Sequence, residues 1–215
     1  MELPVEIKEF IYVYLKLNNV LHLSYYISKK KINFIIEIWY YAINHGYIDI
    51  IKFLHKYRYT DCPINGMNWA ARIGGLEIIK FLHQFRTEGC TTYAMNSAAE
   101  YNHLEIVRFL HEHSSVGCTF NAMTMAALNG HLEIVKFLHK HRSENDLRSA
   151  INNAAFSNQL NIVKYLADYV TKNDIYNVIN TSSLYMNNRI TRYLKSKLRK
   201  MNKKRKANKI KKYQS

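Results

Sequence analysis

The chain has 215 residues, 48% of them hydrophobic and 13% aromatic, which supplies a continuous core and excludes wholesale disorder. A net charge of +15 would point to a nucleic-acid partner if it were spread evenly, but residues 189–215 hold 13 basic side chains and no acidic one. The other 188 residues carry 18 basic against 16 acidic groups, so the body of the protein is close to neutral.

Residues 1–35 predict two helices. Pro4 stands in a first turn, and Leu3, Ile7, Ile11 and Leu15 follow at helical spacing, with Tyr14 beside them. Asn18 or Asn19 caps a second helix carrying Val20, Leu21, Leu23 and Ile27, and Ser28-Lys29-Lys30-Lys31 ends it. Glu2, Glu6 and Glu9 lie where a secretory signal would be basic, so no signal peptide is expected. The apolar run 32–43 is broken by Asn33 and Glu37 and is too short to span a bilayer. A soluble intracellular protein of the cytoplasm and/or nucleus is expected, with no membrane partner.

From residue 36 the sequence repeats. GHLEIVKFLH, at 130–139, has counterparts every 28 residues. Phe53, Phe81, Phe109, Phe137 and Tyr165 form one column, and Leu54, Leu82, Leu110, Leu138 and Leu166 form the next. Alanine pairs lie upstream at Ala70-Ala71, Ala98-Ala99, Ala126-Ala127 and Ala154-Ala155, with Ala42-Ile43 in the first copy. Such a period marks stacked units, none of which buries its apolar face alone. In one unit, Leu132, Val135, Phe137 and Leu138 make a helical stripe, with Glu133 in the first turn and Lys136 and His139 later, as the helix dipole favours. A shorter helix near 122–128 turns Met123, Ala126 and Ala127 inward. Gly46, Gly74, Asn102, Gly130 and Asn158 join the two helices, because glycine and asparagine most readily adopt a left-handed backbone.

Copies are expected at 36–63, 64–91, 92–119, 120–147 and 148–175, with a degenerate cap at 176–198. In that cap Ser182-Ser183 take the alanine columns, and Ile190, Arg192, Tyr193 and Leu194 take the helix columns. Apolar residues thin out from Lys195, and 199–215 is expected to be a basic, disordered tail.

The run from Ala126 to Leu138, with small, turn and apolar residues all in register, resembles the ankyrin repeat. The likeness covers roughly residues 36–198. It implies an all-α, ankyrin-type helical repeat solenoid that recognises proteins, has no chemistry of its own and needs no cofactor. The period of 28 is shorter than the family's about 33, which implies shortened inter-repeat turns such as Glu88-Gly89-Cys90-Thr91. The family's Thr-Pro-Leu-His opening is replaced by Asn65-Gly66-Met67-Asn68, Tyr93-Ala94-Met95-Asn96 and Asn121-Ala122-Met123-Thr124, so its Thr–His bonding does not carry over by default. The short period, the Phe-Leu-His helix ends and the Gly-Cys-Thr turns are similar to the ankyrin proteins of giant amoeba-infecting viruses.

The first segment resembles an F-box in Leu3, Pro4, Glu6, Ile7, Ile11, Tyr14, Leu15, Leu23, Ser24, Ile27, Ser28 and Lys29, with Lys31 where tryptophan is usual. That implies an adaptor contact through Leu3, Pro4, Ile7, Ile11 and Leu15 to an Skp-type subunit of a cullin ubiquitin ligase. The same helices serve equally as a cap on the exposed end of the stack. Both readings stay open.

Repetition removes most candidate sites. Cys62, Cys90 and Cys118 recur one per repeat. Stacked helices sit roughly 10 Å apart, beyond the ~7 Å limit for a disulfide and far beyond convergence on one zinc ion. His55, His83, His111 and His139 fail as metal ligands for the same reason and suit the C-terminal ends of helices. Gly74-Gly75 is a joint rather than a phosphate loop. No catalytic, metal or cofactor residue is expected.

What varies between copies is more informative. Tyr40, Tyr41, Trp69, Arg72, Ile73, Tyr93, Glu100, Tyr101, Met125, Leu128 and Phe156 fall on inner-helix columns that border the concave face in ankyrin folds. They are either a partner-binding surface for a protein or side chains half-buried between repeats. In the tail, Lys203-Lys204-Arg205-Lys206 fits a nuclear import signal, weak nonspecific attraction to nucleic acid, or a solubilising terminus. The adaptor reading is separable from the capping one. Leu3→Ala with Pro4→Ala abolishes co-purification of an Skp-type subunit at unchanged helical content if these residues dock a ligase. A lowered melting temperature with no partner lost is the result if they cap the stack.

Overall fold

The computed structural model describes residues 32–56, 62–63, 65–85, 91–113, 119–141, 146–184 and 188–214. Among them it holds twelve helices and no strand. Two compact units divide the chain, Met1–Cys90 and Thr91–Ser215.

The first unit contains two helix pairs. Helix α1 (Ile32–Asn44) pairs with α2 (Ile48–Lys56), and α3 (Gly66–Ile73) pairs with α4 (Leu76–Phe85). Helix α1 packs on α3 and α2 on α4. Their core joins Ile38, Trp39, Ala42 and Ile43 to Ile50, Ile51, Leu54, Met67, Ala70, Ala71, Ile78, Ile79 and Leu82, all buried.

The second unit contains four pairs. They are α5 (Thr92–Glu100) with α6 (Leu104–His113), α7 (Phe120–Asn129) with α8 (Leu132–His141), and α9 (Leu147–Phe156) with α10 (Leu160–Leu166). The last is α11 (Lys172–Leu184) with α12 (Asn188–Gln214). Helix α7 lies between α5 and α9, and α9 also packs on α11. The outer helices α2, α4, α6, α8, α10 and α12 begin at Ile48, Leu76, Leu104, Leu132, Leu160 and Asn188, 28 residues apart.

The joint within each of the first five pairs is the same. Gly46, Gly74, Asn102, Gly130 and Asn158 all have positive φ, from 58° to 87°. Just beyond them, Tyr47, Gly75, His103, His131 and Gln159 donate their backbone N–H to the carbonyls of Ala42, Ala70, Ala98, Ala126 and Ala154 at 2.7–2.9 Å. This six-to-one closure satisfies helix-end carbonyls that would otherwise be orphaned. The alanines that accept those bonds are fully buried, so the inner helices approach each other closely.

Side chains bridge one repeat to the next. Asn96 Nδ2 donates to Thr119 Oγ1 at 3.0 Å, and the Thr119 N–H returns a bond to Asn96 Oδ1 at 3.3 Å. Thr119 also caps α7 by accepting from the Asn121 N–H.

Histidine belongs mainly to the packing. His55 meets the Phe81 ring edge-on at 5.4 Å, with Phe85 at 4.9 Å. His111 meets Phe137 at 5.5 Å with His141 at 5.4 Å, and His139 meets Tyr165 at 5.6 Å with Tyr169 at 4.4 Å. Each imidazole ending one outer helix enters a ring pair, four residues apart, on the next. Such ring pairs add about 0.5–1.5 kcal/mol beyond burial. His113 has the carbonyl role expected of a helix end, donating Nδ1–H to Phe109 O at 3.0 Å.

One expectation differs from the structure. Residues 199–214 continue α12 as a helix where a disordered tail is expected from the charge. Lysine and arginine are good helix formers, neither glycine nor proline interrupts the segment, and α12 is started by packing. Ile190, Thr191, Leu194 and Leu198 are buried, and Lys197 is paired with Asp168 on the preceding pair. Removing residues 204–215 therefore leaves the unfolding midpoint nearly unchanged, whereas Leu194→Ala lowers stability by about 2–5 kcal/mol. Urea titration monitored by circular dichroism distinguishes the two.

Candidate functional site

The outer helices turn charge outward. Lys80–Glu77 (3.0 Å), Arg108–Glu105 (3.7 Å) and Lys136–Glu133 (2.8 Å) are exposed pairs three residues apart, worth only a few tenths of a kcal/mol each. The inner helices do not follow that pattern. Their buried face is spent on Ala94, Met95, Ala98 and Ala99 in α5 and on Ala122, Met123, Ala126 and Ala127 in α7. The opposite face carries large apolar residues.

In the first unit that face holds Tyr40, Tyr41, Trp69, Arg72 and Ile73. Trp69 is 40% exposed and Ile73 37%, and Arg72 is exposed. The Tyr40 ring lies 4.7 Å from the Trp69 ring, and Tyr41 stacks on His45 at 3.9 Å. Burial pushes the Tyr41 hydroxyl's pKa above the ordinary phenol value, and Tyr47 beside it adds to the rise, so the Tyr41 hydroxyl stays a neutral polar group at neutral pH. His45 donates Nδ1–H to Tyr41 O at 2.9 Å and fixes this end of α1.

In the second unit the face holds Tyr93, Glu100, Tyr101, Met125, Leu128 and Phe156. Tyr93 is 69% exposed and Phe156 50%; Tyr101 and Met125 are exposed too, and Glu100 and Leu128 are half-buried. Positions 93, 97, 100 and 101 form one stripe along α5, positions 121, 125 and 128 one along α7, and 149, 153 and 156 one along α9. Asparagine and serine alternate with the apolar residues, so the surface offers amide and hydroxyl groups between rings. Its backbone is tied down from the next repeat. The carbonyl of Glu100 accepts from Asn129 Nδ2 at 3.0 Å and from His131 Nε2 at 2.9 Å. Gln159 Nε2 reaches the Leu128 carbonyl at 3.5 Å in the equivalent place.

Phe120 and Tyr176 are exposed at the starts of α7 and α11 and were not singled out from the sequence. They share a column with Thr92 and Arg148, near the start of each inner helix. Arg148 is held in place by Asp174, Nε to Oδ1 at 2.9 Å. Asp174 also accepts from Thr171 Oγ1 at 2.6 Å and from the Thr171 N–H, forming a capping box at the start of α11.

The remaining candidates are located as follows. Lys203 is exposed, and the side chains of Lys204, Arg205 and Lys206 lie outside the described residues. Leu3, Pro4, Ile7, Ile11 and Leu15 lie outside them too, as do Cys90 and Cys118, while Cys62 is buried. Among the described residues no three His, Cys, Asp or Glu side chains gather as metal ligands, and no helix is long and apolar enough to cross a membrane.

The Thr171 hydrogen bonds hold Asp174 below the usual carboxylate range, against its partial burial, and Arg148 adds to the effect. A depressed carboxylate contributes stability above the unfolded-state pKa of about 3.9 and loses it as pH falls through the folded value. Asp174→Asn should therefore cost a constant amount from neutral pH down to about pH 5, and the difference from wild type should shrink below about pH 4. Melting curves across that range measure it.

The family model of ankyrin repeats in three copies matches residues 38–123, 67–144 and 95–178, together about two thirds of the chain. No curated protein matches it.

Proposed function

Because this chain belongs to the ankyrin-repeat family, whose repeats form protein-interaction modules and are generally non-catalytic scaffolds, we propose that its inner-helix faces hold a protein partner. One observation carries the reading. Large rings stand exposed on the inner helices, where the repeat needs only alanine and methionine on the buried side, and the outer helices present charged pairs, with Phe85 exposed at the end of α4. Tyrosine, tryptophan and arginine dominate binding hot spots because they bring much contact area and a polar group at low entropy cost.

The second unit offers the richer surface. Tyr93, Phe120 and Tyr176 lie toward the starts of the inner helices, and Tyr101, Leu128 and Phe156 toward their ends. Between these rims lie the amides and hydroxyls of Ser97, Asn121, Ser149 and Asn153. Glu100 is the one carboxylate among the residues assigned to it. A partner presenting apolar anchors with hydrogen-bonding groups between them suits that arrangement better than a highly charged one. Tyr40, Tyr41, Trp69, Arg72 and Ile73 form a separate aromatic surface in the first unit.

The finer reading is a substrate-selecting adaptor, in which Leu3, Pro4, Ile7, Ile11 and Leu15 dock an Skp-type ligase subunit while the repeats hold the target. It is supported by the sequence pattern of the first segment alone.

Truncating one hot-spot ring costs about 2 kcal/mol of binding or more, roughly a thirty-fold loss of affinity. Tyr101→Ala and Phe156→Ala should weaken the partner recovered by affinity purification by that factor and leave the unfolding midpoint within a degree or two. Leu138→Ala, at a fully buried column position, should instead cost about 2–5 kcal/mol of stability. If both surface variants unfold early and bind normally once folded, these rings belong to the packing and the proposal fails.

A further inference from the structure

Helix α12 has two faces with different fates. At 100° per residue Ile190, Leu194 and Leu198 share one side and are buried. Arg192, Lys195, Arg199 and Lys203, in steps of three, four and four, share the opposite side and are exposed. Arg189 and Lys200 flank that row and are exposed too. Among the described residues none of these six cations is in an ion pair. The pairing available to the helix goes to Lys197 instead, which binds Asp168, while Lys172 donates to Asn202 Oδ1 at 2.8 Å from α11. The sequence then continues in the same helix with Lys204, Arg205, Lys206, Lys209, Lys211 and Lys212 and no acidic residue.

We propose that the exposed face of α12, centred on Arg192, Lys195, Arg199 and Lys203, binds the phosphate backbone of duplex DNA without reading its sequence. The row is rigid, because the buried side of the helix is packed. Its cations rise by about 4.5–6 Å per step along the axis. Duplex DNA presents a dense, regular and stiff array of negative charge, about one per 1.7 Å of axis, and each neutralised phosphate releases counterions. A lipid surface suits the helix less well. An interfacial helix needs a free apolar face to insert, and here the apolar stripe is already spent on the repeats. Single strands are held by cations interleaved with stacking rings. This row has no ring, and the nearby Tyr193 is half-buried with Lys164 over it at 5.9 Å. The proposal is independent of the inner-helix face, so either surface can fail without the other.

The test uses the full chain and a short fluorescent duplex of mixed sequence, followed by anisotropy across salt concentrations. Four phosphate contacts predict a slope of about −3.6 in log affinity against log salt, or roughly a hundred-fold loss between about 50 and 200 mM. Arg192→Gln, Arg199→Gln and Lys203→Gln together should weaken binding at low salt at least tenfold and flatten the slope by up to about 2.7. Arg192→Lys, Arg199→Lys and Lys203→Arg together keep the charge and should keep the binding. All three positions are exposed, so both triple variants should keep the wild-type melting curve. The proposal is overturned if the duplex does not bind at low salt or if the glutamine variant binds as wild type. It is also overturned if single-stranded RNA, or vesicles of phosphatidylcholine and phosphatidylserine, bind more tightly than the duplex.

Discussion

Each of the first five helix pairs depends on one left-handed residue. At Gly46, Gly74, Asn102, Gly130 and Asn158 the backbone takes a positive φ, and the residue just beyond donates to the carbonyl of the first residue of the alanine or alanine-isoleucine pair. That bond reverses the chain and sets the angle at which the outer helix returns. The alanine whose carbonyl accepts is fully buried, and its small side chain permits the close approach of two inner helices. Turn, closure and small residue are one device, and the 28-residue spacing of the outer helices is its consequence.

The second level of organisation is the junction between repeats, where polar bonds and ring contacts divide the work. On the inner side, His131, Asn129 and Gln159 reach back to carbonyls at or near the end of the preceding inner helix, and Asn96 and Thr119 exchange two bonds. At the far ends of the outer helices, an imidazole enters the ring pair of its neighbour. His55, His111 and His139, in a column that invites thoughts of metal, are thereby engaged in packing. Both kinds of contact are directional, and they fix register where apolar burial by itself would allow sliding.

Because architecture consumes one side of the inner helices, the opposite side is free to vary, and it is this variable side that is proposed to hold a partner. Tyr93, Tyr101, Met125 and Phe156 differ from copy to copy while the alanines behind them do not. The same division governs α12. Ile190, Leu194 and Leu198 complete the stack, and the cations on the far side have no part in closing it. The far side of α12 is a charged, helical surface.

Much of this protein was legible in the sequence because a repeat samples the same environment several times. The period, the helix pair, the left-handed joints and the alanine columns each appear in multiple copies, so chance agreement is small. The inner-helix columns followed from the same register, with Phe120 and Tyr176 overlooked because their column mixes threonine, phenylalanine, arginine and tyrosine. Only the tertiary structure decided which partner each side chain meets. It set the histidines into rings, linked Asn96 to Thr119, drew Arg148 to Asp174, and kept residues 199–214 helical where charge suggested disorder. The physical reason is range. Period and propensity are local along the chain and can be read from it, whereas a ring contact or an ion pair depends on residues some 26 positions away brought together by packing.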